Sequence, residues 1–275
     1  MANRPLQFSI EALEDRAVPA AAFVGNVPLP DPTVPRVSHG HTHHTTVDIP
    51  PVGPNASLVI GASNDEETLF VQKIYFDFLG RTIDSAAMPY VDALADGSMS
   101  RRDIADEVLH SDEYYARRIE ALYGAFLNRS ADAVGKQGYL EDLRNGKPLE
   151  QLAIDLLSSD EYRDLYVDST AFVQGLFDDV LGRRAEYDGL HAYIDRVDAA
   201  AGDDEETRDI ITEIVTSIES RKMGGEEAVE LMLNQPASPT LGANFVDAAK
   251  SGAAIEKILV DIAETDLYHA VRDVR

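Results

Sequence analysis

Apolar residues recur along the chain in a fourfold pattern. Aligned on Leu79, Leu127, Leu181 and Leu233, they precede each anchor by five, four and one positions: Ile74, Tyr75 and Phe78; Leu122, Tyr123 and Phe126; Leu176, Phe177 and Val180; Ala228, Val229 and Met232. That spacing is one face of a helix. Each anchor is followed by Gly80, Asn128, Gly182 or Asn234, and Gly and Asn are the residues that tolerate the left-handed conformation closing a helix. A first helix, A, is therefore predicted to end at the same place in four copies.

A second helix, B, is predicted to start from an N-cap at Asp84, Asp132, Glu186 or Ser238, with Glu186 the poorest capping residue of the four. Its inward face is headed by Tyr90, Tyr139, Tyr193 and Phe245, and Gly97, Gly146 and Gly252 mark its end in three copies. Helix C repeats one apolar stripe: Ile104, Ala105, Val108, Leu109; Leu152, Ala153, Leu156, Leu157; Ile210, Ile211, Ile214, Val215; Ile258, Leu259, Ile262, Ala263. Beyond it, Ser111-Asp112-Glu113-Tyr114 and Ser159-Asp160-Glu161-Tyr162 read as a serine cap with acids in a first turn, where the helix dipole favours them. Thr265 to Tyr268 keeps that corner and Ser217 to Ser220 keeps part of it. Each unit has one apolar face and must stack on a neighbour to bury it.

The chain resembles the bacterial family known as domain of unknown function 4214, over roughly residues 66–223. The likeness rests on Leu79-Gly80-Arg81, Leu127-Asn128-Arg129 and Leu181-Gly182-Arg183, on Asp84 and Asp132, and on the two Ser-Asp-Glu-Tyr corners. The chain departs from the family pattern at Ala87 and Gln235, where the family has Gly and Arg, and it has no Trp. The resemblance implies an all-helical module of exported or surface-associated proteins, distantly similar to phycobilisome linker domains, and it brings no catalytic residues.

Charge then narrows the partners. The formal net charge is -25, and residues 1–62 hold 5 acidic and 3 basic residues, so the charge belongs to the helical part. Such a surface repels nucleic-acid phosphates and anionic lipid. There is no cysteine, which removes disulfides and thiolate chemistry, and no apolar window is long enough for a membrane span. Nine of 13 prolines fall at or before Pro54, so residues 21–65 read as a disordered linker without a core. Before it, Leu13-Glu14-Asp15-Arg16-Ala17-Val18-Pro19-Ala20 resembles a motif at the N termini of exported planctomycete proteins, which implies that residues 1–20 are a targeting segment.

Candidate chemistry is sparse. His39, His41, His43 and His44 are spaced to chelate a transition metal, yet no carboxylate beside them would fix their orientation. Arg81, Arg129 and Arg183 recur beside the end of helix A. They are read either as bonding the last carbonyls and a cap carboxylate or as contacts for a ligand. The acidic run from Asp195 to Glu206 lacks the alternation of a calcium loop. No nucleophile, phosphate-loop or dinucleotide motif is present, and no cofactor is expected.

The sequence thus predicts an all-α chain of tandem helical repeats packed as bundle-like modules, 66–168 with repeats 1 and 2 and 169–275 with repeats 3 and 4. It carries a disordered Pro/His-rich N-terminal segment. The expected role is non-catalytic binding of a protein or cell-surface polymer outside the cell, with no nucleic-acid partner. Two other readings stay open: an enzyme or accessory domain acting on envelope polysaccharide, and a cytoplasmic linker scaffold.

Overall fold

The computed structural model describes residues 65–200 and 204–270. The targeting stretch, the linker up to residue 64 and the four clustered histidines lie outside the described residues. Asp65, the last residue of the stretch read as linker, caps the first helix: its carboxylate accepts from the Thr68 N–H.

Among the described residues there are fourteen helices and no named strand. The first seven are α1 (Glu66–Leu79), α2 (Met88–Ala95), α3 (Arg101–Leu109), α4 (Asp112–Leu127), α5 (Ala133–Arg144), α6 (Leu149–Leu157) and the single turn α7 (Asp160–Arg163). The second seven follow the same order: α8 (Ser169–Leu181), α9 (Tyr187–Ala199), α10 (Asp204–Val215), α11 (Ile218–Leu233), α12 (Ala243–Lys250), α13 (Ile255–Ala263) and α14 (Asp266–Ala270). No helix among them is long and apolar enough to cross a membrane.

The helix A ends form as their residues dictate. Gly80, Asn128, Gly182 and Asn234 have φ of 62°, 52°, 61° and 53°, the left-handed turn that breaks the helix and leads the chain away. Ser111, Ser159 and Ser217 each accept from the N–H three residues on, a cap contributing about 1 kcal/mol. The helix C stripes are the core: Ile104, Ala105, Leu109, Leu152, Ala153, Ile210, Ile211 and Leu259 are fully buried.

Two helix B starts differ from the expectation. Asp84 bonds the Ala86 N–H at 2.9 Å and so closes a turn, while Pro89, which has no N–H to offer an intrahelical bond, sits in the first turn of α2 and the helix begins at Met88. Ser238 is spent in a tight turn with Leu241, its N–H donating to the Leu241 carbonyl at 2.9 Å, and α12 begins after Gly242 at φ 74°. The first three B helices are also shallower than read, whereas Phe245, Val246 and Ala249 of the fourth are buried as expected. Tyr90, Tyr139 and Tyr193 are only partly buried, and Val91, Leu143 and Val197 reach the core.

The two runs of seven helices meet through contacts that occur twice. Helix α3 packs on α13, and α6 packs on α10. Arg102, two positions before its stripe, pairs with Asp261 at 2.9 Å, and Arg208, two positions before its own stripe, pairs with Asp155. The corner tyrosines close the same way: Tyr162 donates to Asp179 at 2.8 Å and Tyr268 donates to Asp77 at 2.9 Å. Each lies edge-on to a phenylalanine 6.1 Å away, Phe172 and Phe70 respectively. The end of the described chain is thereby fastened to its beginning.

Candidate functional site

The recurrent arginines are built into clamps. Each follows the left-handed residue that ends its A helix, which sends its side chain toward the serine-capped corner of the same copy. The Arg81 Nε and Nη2 donate to both oxygens of Glu113 at 2.5 and 2.9 Å. Arg129 holds Glu161 at 2.5 and 2.7 Å, and Arg183 holds Glu219 at 2.5 and 2.7 Å. The remaining Nη1 reaches the carbonyl of Thr82, Ser130 or Arg184, one residue on, not the last carbonyls of the helix.

Each guanidinium also lies over a ring of its own A helix: Tyr75 at 4.9 Å, Tyr123 at 4.9 Å and Phe177 at 5.4 Å. The hydrogen bonds from Arg129 and Arg183 hold the Glu161 and Glu219 carboxyls below their ordinary value. In the fourth copy the two clamp positions are Gln235 and Leu267, so both partners are replaced together. The three arginines do not converge; each closes its own copy at the surface. The Arg183 clamp also borders a shallow recess of about 330 Å³.

Replacing Arg129 with alanine is expected to lower stability by about 1–2 kcal/mol, combining a half-exposed bidentate pair with a cation–π contact. Urea denaturation measures it. An unchanged midpoint would mean the clamp adds nothing to the fold.

A second cleft, of about 430 Å³, opens where α3, α4, the turn between α5 and α6, and α13 meet. Four cations stand around it and each is paired with an acid. Arg144 holds Asp112 at 2.6 Å, Lys147 holds Asp142 and Asp155 at 2.6 and 2.9 Å, and Arg102 and Lys257 share Asp261. His110, at the end of α3, is hydrogen-bonded through its ring Nδ1 to the Asp106 carbonyl at 2.8 Å.

Glu256 is the exception in this lining. It comes from the first turn of α13 and is half-buried; among the described residues it forms no ion pair, and its carboxyl accepts from its own backbone N–H. Burial pushes its carboxyl up, with Arg118 and His110 pulling the other way. Tyr115 of α4, almost fully buried, forms the facing wall.

Sequence reasoning singled out the clamp arginines but not their glutamates, although the Glu of Ser-Asp-Glu-Tyr recurs wherever the Arg does and is lost where it is lost. Nothing in the sequence set Glu256 apart from the chain's many other acids. The histidines proposed as metal ligands lie outside the described residues; among those described, no three His, Asp or Glu side chains are grouped to hold a metal ion. Of the acidic run, Glu206 is taken up by Arg196 and Asp198 by Ser169. No family model, curated protein or solved structure matches the chain, so the resemblance to the domain of unknown function rests on its motifs alone.

Proposed function

We propose that this chain is a non-catalytic helical module that works outside the cytoplasm, at the cell surface, by binding a protein or a surface polymer. The observation that carries the reading is the cleft between α3, α4 and α13. It is the place where a half-buried acid, Glu256, forms no ion pair among the described residues while the cations that line the cleft are paired within the fold. A carboxylate partly withdrawn from water costs stability unless it is paired, which favours a use for this one beyond folding. The resemblance in the helical copies supports a surface-associated module, and the stretch from Leu13 to Ala20 supports export.

The test is to fractionate source cells and read the N-terminal mass of the native chain. Recovery from envelope or medium, trimmed near Ala20, is expected. Intact recovery from the cytoplasm alone would overturn the export reading and favour an intracellular scaffold.

A further inference from the structure

The cleft has a counterpart elsewhere in the molecule, and the counterpart is filled. Glu150 in the first turn of α6 stands two positions before its apolar stripe, as Glu256 does in α13. Gly252, at φ 88°, precedes α13 as Gly146, also at φ 88°, precedes α6. Arg221 on α11 occupies the position that Tyr115 has on α4, four residues after the capping serine in each case.

In the filled copy the Arg221 guanidinium donates from Nε and Nη2 to the two oxygens of Glu150 at 3.1 and 3.3 Å. It lies directly over Gly252, where an added methyl would meet its Nη1 at 3.2 Å and its Cζ at 3.6 Å. In the open copy the same space over Gly146 has nothing within 4 Å. One substitution between equivalent positions, arginine in one and tyrosine in the other, separates a closed ion pair from an open cleft.

We propose that the cleft beside Glu256 takes a guanidinium group from outside the chain, the exposed arginine side chain of a partner protein, in the place that Arg221 fills in the counterpart. The fold shows in its own second copy how such a group is held: a bidentate pair on a first-turn glutamate, above a glycine that clears room for it. Three further features favour it. Glu256 forms no ion pair among the described residues, although Arg118 and His110 act on it electrostatically. The lining cations are each balanced by carboxylates, and the chain's net charge of -25 draws a cation in. Tyr115 offers a ring on which a planar guanidinium stacks favourably, and burial of Glu256 strengthens any pair it makes. This inference rests on the binding-module reading above and names the chemistry of the partner.

The test uses the full chain and N-acetyl-arginine amide, with N-acetyl-citrulline amide as the neutral isostere, followed by NMR or calorimetry. Wild type is expected to bind the arginine compound saturably at one site and the citrulline compound at least tenfold more weakly. Tyr115→Arg should abolish binding and raise the melting temperature, because the new guanidinium closes on Glu256. Glu256→Gln should weaken binding more than tenfold. Arg221→Tyr should open the counterpart and raise the stoichiometry from one to two.

Undiminished binding in folded Tyr115→Arg or Glu256→Gln, equal affinity for arginine and citrulline, or no binding by wild type at about millimolar probe would each overturn the proposal. A chain found at the cell surface that ignores the arginine probe loses only this inference. A cytoplasmic chain whose arginine binding vanishes in Tyr115→Arg keeps the site and loses the surface reading.

Discussion

Replacing Asp77 with alanine lowers the stability of the protein by about 3–5 kcal/mol, the expected cost of breaking a buried ion pair from one side. Lys73 and Asp77 are one turn apart on α1 and only 8% and 7% exposed, with their charged atoms 2.8 Å apart. The same carboxylate accepts from the Tyr268 hydroxyl, and the Lys73 ammonium lies 4.3 Å from the centre of that ring. Removing the carboxylate leaves an ammonium held over the Tyr268 ring, away from water, and takes the partner from the phenol that fastens α14 to α1.

The counterpart contact sets the control. Asp179 is bonded by two phenols, Tyr162 at 2.8 Å and Tyr166 at 3.2 Å, and Gly175 stands where Lys73 would be, beneath the Tyr166 ring. Among the contacts described, Asp179→Ala strands the two phenol hydroxyls, so about 1–3 kcal/mol is expected there. The double change Lys73→Met with Asp77→Leu removes both charges and should recover most of the loss. Equilibrium urea denaturation of the three variants decides it. A loss below about 1 kcal/mol for Asp77→Ala would show that Lys73 escapes to solvent and that the pair is not buried in effect.

These contacts also mark what the sequence could and could not disclose. Local chemistry was legible: left-handed ends at Gly80 and Asn128, serine caps at Ser111 and Ser159, and the C stripes, because each depends on residues within a turn or two. The clamp was half legible. Arg129 is conspicuous by its repeated place, but its partner Glu161 lies 32 residues further on in the same copy, and acids are too common to single one out. The closure of Tyr268 on Asp77 left no trace in periodicity, since both residues satisfy their own helices whatever lies across from them. The cleft was least legible of all. It exists because Tyr115 and Arg221 differ, and that difference has meaning only once the structure shows the two positions to be equivalent.

The pH dependence of stability should be governed by a second buried acid, Glu227, through the sign of its displacement. Glu227 projects from α11, its Oε2 is buried, and that atom has no hydrogen-bond partner among the described residues. Burial pushes its carboxyl up to about 8; Arg118 of α4 opposes the rise and Glu230 adds to it. Arg118 is 2% exposed. It acts electrostatically on both Glu227 and Glu256, so one guanidinium is set against two partly buried carboxyls, and both are raised.

The native state therefore keeps a proton on Glu227 that the unfolded chain gives up near its ordinary value of about 4.3. With more protons bound in the folded form, stability is full below that value. It falls as pH rises toward 8 and levels off above, by on the order of 3 kcal/mol after allowance for partial exposure. The paired acids act oppositely. Glu161, Glu219 and Asp155 are held low by their arginines, against burial in the case of Asp155, and their contribution is lost on acidification below the usual carboxylate range. The two slopes place the optimum near pH 5, on the acid side of neutrality. Glu227→Gln puts a neutral group of the same shape where the protonated acid stands. It should flatten the decline between about pH 5 and 8 and leave the acid limb unchanged. Urea midpoints measured across that range for both proteins settle the matter: parallel curves would mean Glu227 is already ionised in the folded chain, with Arg118 supplying the charge that keeps it so.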